Sequence, residues 1–417
     1  MNQVEKLISN LCPNGVPVYA LGQIGTTVSG LRGKSKDDFS DGNAPYVSYV
    51  EIFNNPGIDF VPEKRVKVKS TENQSAIQLG DVLVTGSSET RNECGMTAVI
   101  TAEPVLPIYV NSFCFIWRPN KGVELDPQFA KHLFRDRAFR DRVIETANGV
   151  TRQNISKPNF LAIEIPLPPI KLQREIASIL NNFTELEAEL EAELEARKSQ
   201  YRGYSASLLF RNIDQNFLKA KLIDVCDLQN GYAFKSQNMR NHEATGLMPI
   251  LRISNLGAGG DIVGDFKFHP SRGISSQFIA SENNVVVAMT GATLGKVAVI
   301  KTGRFLLNQR VGMFQSDPSK IDLKYLGFLL RSDKFYHYCQ SVIGLSAQGN
   351  ISKNQILDFE FLLPTLQRQK EVADFLEKFE LLVLGSNSLL PLEIASRRQQ
   401  YDYYRTKLLS FEKSEVA

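Results

Sequence analysis

Two glycine-bearing stretches of the 417-residue chain could bind phosphate. In TGATLGKVAV, Gly291, Gly295 and Lys296 suggest a loop whose backbone amides cradle an anion. The glycines stand one residue too close for that loop, Val297 replaces the metal-binding Ser or Thr, and a β-type run follows where a helix is required. Gly257-Ala258-Gly259-Gly260 lacks the third glycine that dinucleotide binding needs. No nucleophile elbow, no clustered acidic nuclease motif and no Asn-Pro-Pro-aromatic signature of an amino-methyltransferase is present. Five scattered cysteines and four dispersed histidines support neither a disulfide framework nor a zinc site. The chemistry that remains is binding.

Anions are the expected partner. Net charge is +3, yet Glu185 to Glu195 holds six Glu and no basic residue, so the remainder is distinctly basic. In KRVKVKS, Arg65, Lys67 and Lys69 alternate; on an extended backbone they share one face, aimed at a common anion or guarding a strand edge. The Arg135, Arg137, Arg140, Arg142 series reads as a solvated helix face paired with Asp136 and Asp141. Residues able to match base edges cluster twice: Asn148, Thr151, Arg152, Gln153 and Asn154, then Ser346, Gln348 and Asn350. Arg matches guanine and Asn or Gln matches adenine through paired hydrogen bonds. Capping is the competing role, and it is favoured for Asn154 and Asn350.

The elements that position these residues come in two copies. Asn154-Ile155-Ser156-Lys157 recurs as Asn350-Ile351-Ser352-Lys353, and Leu161, Leu167, Pro168, Gln173 and Leu180 recur as Leu357, Leu363, Pro364, Gln369 and Leu376. Arg197, Tyr201, Tyr204 and Leu208 match Arg397, Tyr401, Tyr404 and Leu408, and Ile24 to Gly30 matches Val225 to Gly231. Between these matches the halves diverge. Each divergent part reads as short strands (Ala44 to Val50, Asp81 to Thr85 and Val110 to Trp117; Val285 to Met289 and Val297 to Ile300), then one amphipathic helix (Phe129 to Ile144; Tyr325 to Val342).

The closing segments read as long helices. Ile176, Ile179, Phe183, Leu186 and Leu190 occupy a and d positions, and Leu194, Tyr201, Tyr204 and Leu208 resume the seam after a four-residue slip. Ile170 to Phe210 would make a helix on the order of 60 Å long. Such a helix needs an apolar partner, and Val372, Phe375, Phe379, Leu382, Ile394 and Tyr401 supply one. Gly385 and Pro391 predict a break or kink in this second helix.

The duplicated closures NGVTRQNISKPNFLAIEIPLPPIKLQREIASIL and AQGNISKNQILDFEFLLPTLQRQKEVADFL, with the endings RKSQYRGYSASLLF and RRQQYDYYRTKLLSF, resemble the specificity subunits of type I restriction-modification systems. The resemblance implies an α+β fold in which two mixed α/β target-recognition domains alternate with two long antiparallel coiled-coil helices under a pseudo-twofold repeat. The segments expected are 1–165 and 213–361 for recognition, and 166–212 and 362–417 for the helices. Each recognition domain would read half of a split double-stranded DNA target. The helices would act as a ruler and as the docking surface for two modification (methyltransferase) subunits and for restriction (translocase and nuclease) subunits. No cofactor is expected on this chain; S-adenosylmethionine, ATP and magnesium would sit on those partners. The rival reading is a coiled-coil adaptor without sequence-specific DNA binding. DNA contacts are expected from Lys34, Lys67, Lys69, Arg91, Arg152 and Gln153 in the first half, and from Lys235, Arg252, Lys296, Arg304, Gln348 and Lys353 in the second. With no apolar window of about 18 residues and no leader pattern, the expected location is the cytoplasm, off the membrane.

Overall fold

The computed structural model describes residues 3–149, 151–210, 218–257, 259–343, 349–383 and 389–414. The chain forms two compact units, Met1–Glu191 with Glu393–Ala417, and Ala192–Leu392. This differs from the four expected segments, because each long helical segment is built into a globular core.

In the first unit the apolar runs Val82–Thr85 and Thr97–Ile100 are buried along their whole length. That fits strands covered on both faces. They lie inside a sheet ordered Gly25–Ser29, Cys114–Pro119, Val82–Thr85, Thr97–Ile100, Gly57–Ile58, with only the last pairing parallel. Trp117, Phe129, Phe134 and Phe139 fill one side, and Ile52, Leu83, Ile100 and Ile116 the other. The second unit repeats the order with Cys226–Asn230, Val311–Ser316, Val285–Ala288 and Val297–Val299. A second sheet accompanies each, and both contain a parallel pair: Ala44–Val47 with Tyr109–Val110, and Leu247–Leu251 with Phe305–Leu307. The repeat therefore persists where the sequences have diverged.

Each expected single helix is in fact two: Pro127–Leu133 and Arg137–Glu145, then Leu323–Leu330 and Asp333–Ile343. Asp136 starts the second of the first pair by accepting from Ala138 N–H, and Ser332 Oγ accepts from Phe335 N–H in the other. The solvated arginine face is also corrected. Arg135 donates to the carbonyls of Thr97 at 2.6 Å and Ile52 at 2.5 Å, and Arg140, 8% exposed, donates to those of Gly95, Asn92 and Cys94. Both satisfy carbonyls that burial would otherwise strand. Arg137 does face solvent beside Asp141, whereas Arg142 is half-buried and donates to the Ala138 and Glu164 carbonyls.

Ile170–Phe210 is one uninterrupted helix of 41 residues, giving 170–191 to the first unit and 192–210 to the second. Its counterpart consists of Leu366–Val383 and Leu389–Leu409. Gly385 lies outside the described residues. Pro391 is the third described residue of Leu389–Leu409, so the break or kink expected at Gly385 and Pro391 falls on and beside residues that are not described.

Within the first unit, Phe183 stacks on Tyr404 at 5.3 Å and Arg398 pairs with Glu187 and Glu191, so the two helices run antiparallel. Within the second, Tyr201 stacks on Phe379 at 5.7 Å. The expected seam is only partly right. Leu186, Phe375 and Leu382 are 44%, 50% and 73% exposed, whereas Leu172, Ile176, Ala177 and Leu180, and in the second unit Val372, Ala373 and Leu376, are buried in the globular cores. Ile179 packs half-buried on the same core, and Leu190 is half-buried. The start of each helix turns its apolar face to the sheet-covering helices.

Three buried polar groups fix these docks. Gln173 accepts from Asp126 N–H at 2.8 Å and donates to the carbonyls of Glu124 and Pro168; Gln369 makes the same three bonds with Asp322, Lys320 and Pro364. His132, 1% exposed, holds Asn181 Oδ1 at 2.8 Å and the Tyr401 hydroxyl at 2.9 Å. Since Oδ1 can only accept, Nε2 carries the proton and Nδ1 accepts from Tyr401.

Replacing Gln369 with Leu strands a backbone N–H and two carbonyls, and is expected to cost about 1–3 kcal/mol per stranded group, read from denaturant unfolding. Burial, reinforced by Lys131 and Arg405 and opposed by the Asn181 bond, pushes His132 from its ordinary 6.5 down to about 4. The unfolded chain then takes up the proton first as pH falls. The stability from neutral His132 is complete above pH 6.5 and drains away between 6.5 and about 4. Melting temperature measured across that range should show this loss, and His132→Phe, which copies Phe328 of the second unit, should flatten it.

Candidate nucleic-acid interface

At the edge of each main sheet the chain passes from the parallel strand into the central strand through a short turn. In the first unit Asn111 N–H donates to Val47 O at 3.0 Å, Cys114 N–H to Asn111 O at 3.0 Å, and Gly86 N–H to Phe113 O at 2.9 Å. Gly86 O in turn accepts from Ile155 N–H at 2.9 Å. The second unit repeats this frame with Asn308 to Leu251, Val311 to Asn308, Met289 to Arg310, and Ile351 to Met289, at 2.8 to 3.1 Å. Glycine is required beside each turn: a Cβ at Gly30 would stand 2.3 Å from Asn111 O, and one at Gly231 2.1 Å from Asn308 O. This explains why Gly30 and Gly231 recur.

The Asn-Ile-Ser-Lys repeats join this frame. Asn154 pairs with Ser87, and Asn350 pairs with Thr290, whose hydroxyl donates to the Asn350 carboxamide. Ser156 and Ser352 each cap the short helix that follows by accepting from Asn159 and Gln355 N–H. The motif is scaffold.

Around the first frame the structure gathers several of the expected contacts. Gln153 pairs with Ser88 in register, which brings Arg152 and the turn bearing Arg91 to the same end of the Ala147–Asn148, Gln153–Ile155, Ser87–Ser88 sheet. Arg91 and Arg152 are exposed there, without an ion pair among the described residues, and Gln153 Nε2 donates to Gly149 O at 2.7 Å. Beside them lies a groove of about 430 Å³ lined by Arg32, Ser87, Ser112, Phe113, Asn154 and Lys157, among others. Lys67 and Lys69 face solvent, alternating with buried Val66 and half-buried Val68. Only Arg65–Val66 is a paired strand; the alternation continues because Asn43 clamps Val68 by two bonds.

Other expected contacts are already spent. The Lys34 side chain is 2% exposed and holds Glu72 and the Lys67 carbonyl at 2.5 Å, its bond holding the Glu72 carboxyl below the usual range. It is a structural lysine. Lys353 pairs with Asp227 at 2.6 Å, and Arg252 donates to Asp265 O at 3.1 Å from a half-buried position. Lys235 and Arg304 are exposed elsewhere on the second unit, and Lys296 lines a cavity of about 790 Å³ with Lys198, Arg202 and Lys334. Gln348 lies outside the described residues. The sequence reading did not single out Arg32 and Lys157 of this groove or the exposed turn residues Ser112-Phe113 and Gln309-Arg310; the recurring asparagine three residues before the strands Cys114–Pro119 and Val311–Ser316 was the available signal. The rejected phosphate loop is a 3-10 turn, Gly291–Thr293, leading into the strand Val297–Val299.

The family model for the type I restriction modification DNA specificity domain matches residues 13–196 and 215–391, one match for each copy of the frame. The chain belongs to this family. A putative type I specificity subunit of Mycoplasma pneumoniae is 30% identical over 255 residues, 58% of this chain and 91% of that one. The EcoR124I/EcoR124II specificity subunit of Escherichia coli is 28% identical over 276 residues, covering 64% and 67%. A solved chain from work on assembly and conformational transition of the type I R-M system shares the fold at TM-score 0.67 and 16% identity over 97% of this chain and 99% of that one. The specificity subunit of M. genitalium does so at TM-score 0.50 and 14% identity, over 94% and 96%. This protein is thus a specificity subunit of a type I restriction-modification system. Among the described residues of the specificity subunit, no group of three or more His, Cys, Asp or Glu could hold a metal, and no helix is long and apolar enough to cross a membrane.

For the specificity subunit, changing Arg91 and Arg152 together to Ala should weaken binding to every duplex alike and lower the slope of log affinity against log salt by about two, measured by anisotropy titration. Lys34→Ala should lower the melting temperature and leave that slope unchanged.

Proposed function

We propose that this specificity subunit reads a bipartite DNA target, one half-site for each unit, and docks the modification and restriction subunits that act on it. The observation carrying the proposal is the duplicated hydrogen-bonded frame: the same backbone is built twice in one chain and carries different exposed side chains each time. Two like scaffolds with unlike surfaces suit two unlike half-sites. Half-sites about one helical turn apart, roughly 34 Å, would offer the same groove face to both readers. The uninterrupted helix Ile170–Phe210 lies in the segment to which the resemblance assigns the ruler role.

On this reading the chain is not an enzyme by itself and carries no cofactor. Two methyltransferase subunits bring S-adenosylmethionine and methylate adenine, and the restriction subunits bring ATP and magnesium, all in the cytoplasm where the DNA lies. The exposed Leu381, Leu382, Leu389 and Leu392 lie in the helical segments to which the resemblance assigns docking.

Mapping methylated adenines after coexpression with the modification subunits is expected to reveal two different half-sites around a spacer of fixed length and free sequence. One continuous motif, or none, would overturn the proposal. Methylation or cleavage by the purified chain alone would overturn the non-catalytic assignment, and assembly without any sequence preference would favour the adaptor.

A further inference from the structure

The frame described above holds its turn by backbone bonds and, in the first unit, by Asn111 Oδ1 accepting from Phe113 N–H at 3.0 Å, so two side chains at its tip are left without a scaffolding task. In the first unit these are Ser112 and Phe113, and in the second Gln309 and Arg310; all four are exposed. Their positions correspond bond for bond, since Phe113 O accepts from Gly86 N–H as Arg310 O accepts from Met289 N–H. The residues around them keep their types, with Asn111 matching Asn308, Gly30 matching Gly231, and Ile155 matching Ile351. Constant backbone and changed tip are what a reader of two different sequences requires.

Neither tip residue is explained by stability. Phe113 is 60% exposed at the rim of the groove that also carries Arg32 and Lys157, and exposure of so large an apolar ring gains nothing in the isolated fold. Arg310 has no ion pair among the described residues. The structural arginines of this protein look different: Arg135 and Arg140 each fill several carbonyls, and Arg331 pairs with Glu380 through both terminal nitrogens at 2.8 and 3.0 Å.

We infer that this turn is a specificity-determining element in each unit: Gln309 and Arg310 read base edges in one half-site, and Ser112 and Phe113 read the other. The inference rests on the DNA-reading function proposed above and assigns residues to it. A guanidinium matches guanine O6 and N7, and a carboxamide matches adenine N6 and N7, so the second unit's turn fits purines in the major groove. An aromatic ring has no such code. It discriminates by contact with the thymine methyl or by wedging into a deformable base step.

The test uses the complex of full-length chain and modification subunits, with methylation of a randomised-target library as the readout. Arg310→Ala is expected to lose roughly ten- to hundredfold discrimination at one base pair of one half-site while the other half-site is unchanged. Phe113→Ala is expected to relax only the opposite half-site. Melting temperatures close to wild type would show that both variants fold. Uniformly weaker methylation with selectivity preserved would make the turn a phosphate contact and overturn the inference, as would unmoved selectivity in both variants. Those outcomes leave the bipartite function standing. A wild-type complex that marks no bipartite motif would remove that function, and this inference with it.

Discussion

A buried carboxamide at the start of each long helix decides where everything else in its unit can be. Apolar faces tolerate sliding, because a leucine shifted by one turn still finds leucines. The carboxamides of Gln173 and Gln369 each accept one N–H and donate to two carbonyls at 0% exposure, and no other register satisfies all of those groups. The docked helix in turn presents Ile176 or Val372 to the core and leaves its other side for a second helix. The recognition sheet, its covering helices and the long helix therefore form one body in each unit.

Much of this was legible in the residues. The recurrence of Asn154 to Lys157 as Asn350 to Lys353, and of Gln173 as Gln369, marked the duplicated scaffold, because a scaffold that must be built twice repeats the residues with fixed hydrogen-bonding duties. What failed has a common cause. Leu186, Phe375 and Leu382 satisfy heptad spacing, but spacing does not say whether an apolar stripe meets a helix or a sheet-covering layer. Arg135, Arg140 and Lys34 looked available because their acceptors, among them the carbonyls of Ile52 and Gly95 and the carboxylate of Glu72, lie 33 to 83 residues away. Among the expected contacts, Arg152 and Gln153 stood out by clustering in sequence, and the fold adds Arg91 at the same end of one small sheet. The Phe113 and Arg310 turns drew no notice, since backbone bonds largely define them and the recurring Asn111 and Asn308 are their one shared side-chain mark.

The two units also show how differently one frame can be furnished. Where the first unit has His132 between Asn181 and Tyr401, the second has Phe328 under the Arg331 guanidinium. Arg135 caps carbonyls, while Arg331 at the matching position pairs with Glu380. Each solution satisfies its own polar groups, so a buried network can be exchanged for another provided every member finds a partner.

The ends of the first unit have a bearing on synthesis. Val16 exchanges backbone bonds with Glu412 and Ser414, and Leu408 and Leu409 complete the core around Trp117. As the ribosome extends the chain, the domain begun first must wait with an unfilled apolar cleft until residues beyond Glu393 emerge, while the domain begun second already holds all its parts. Maturation thus runs against the order of translation, and the interval in which the earlier domain stands open is when chaperones and proteases have their best access to it.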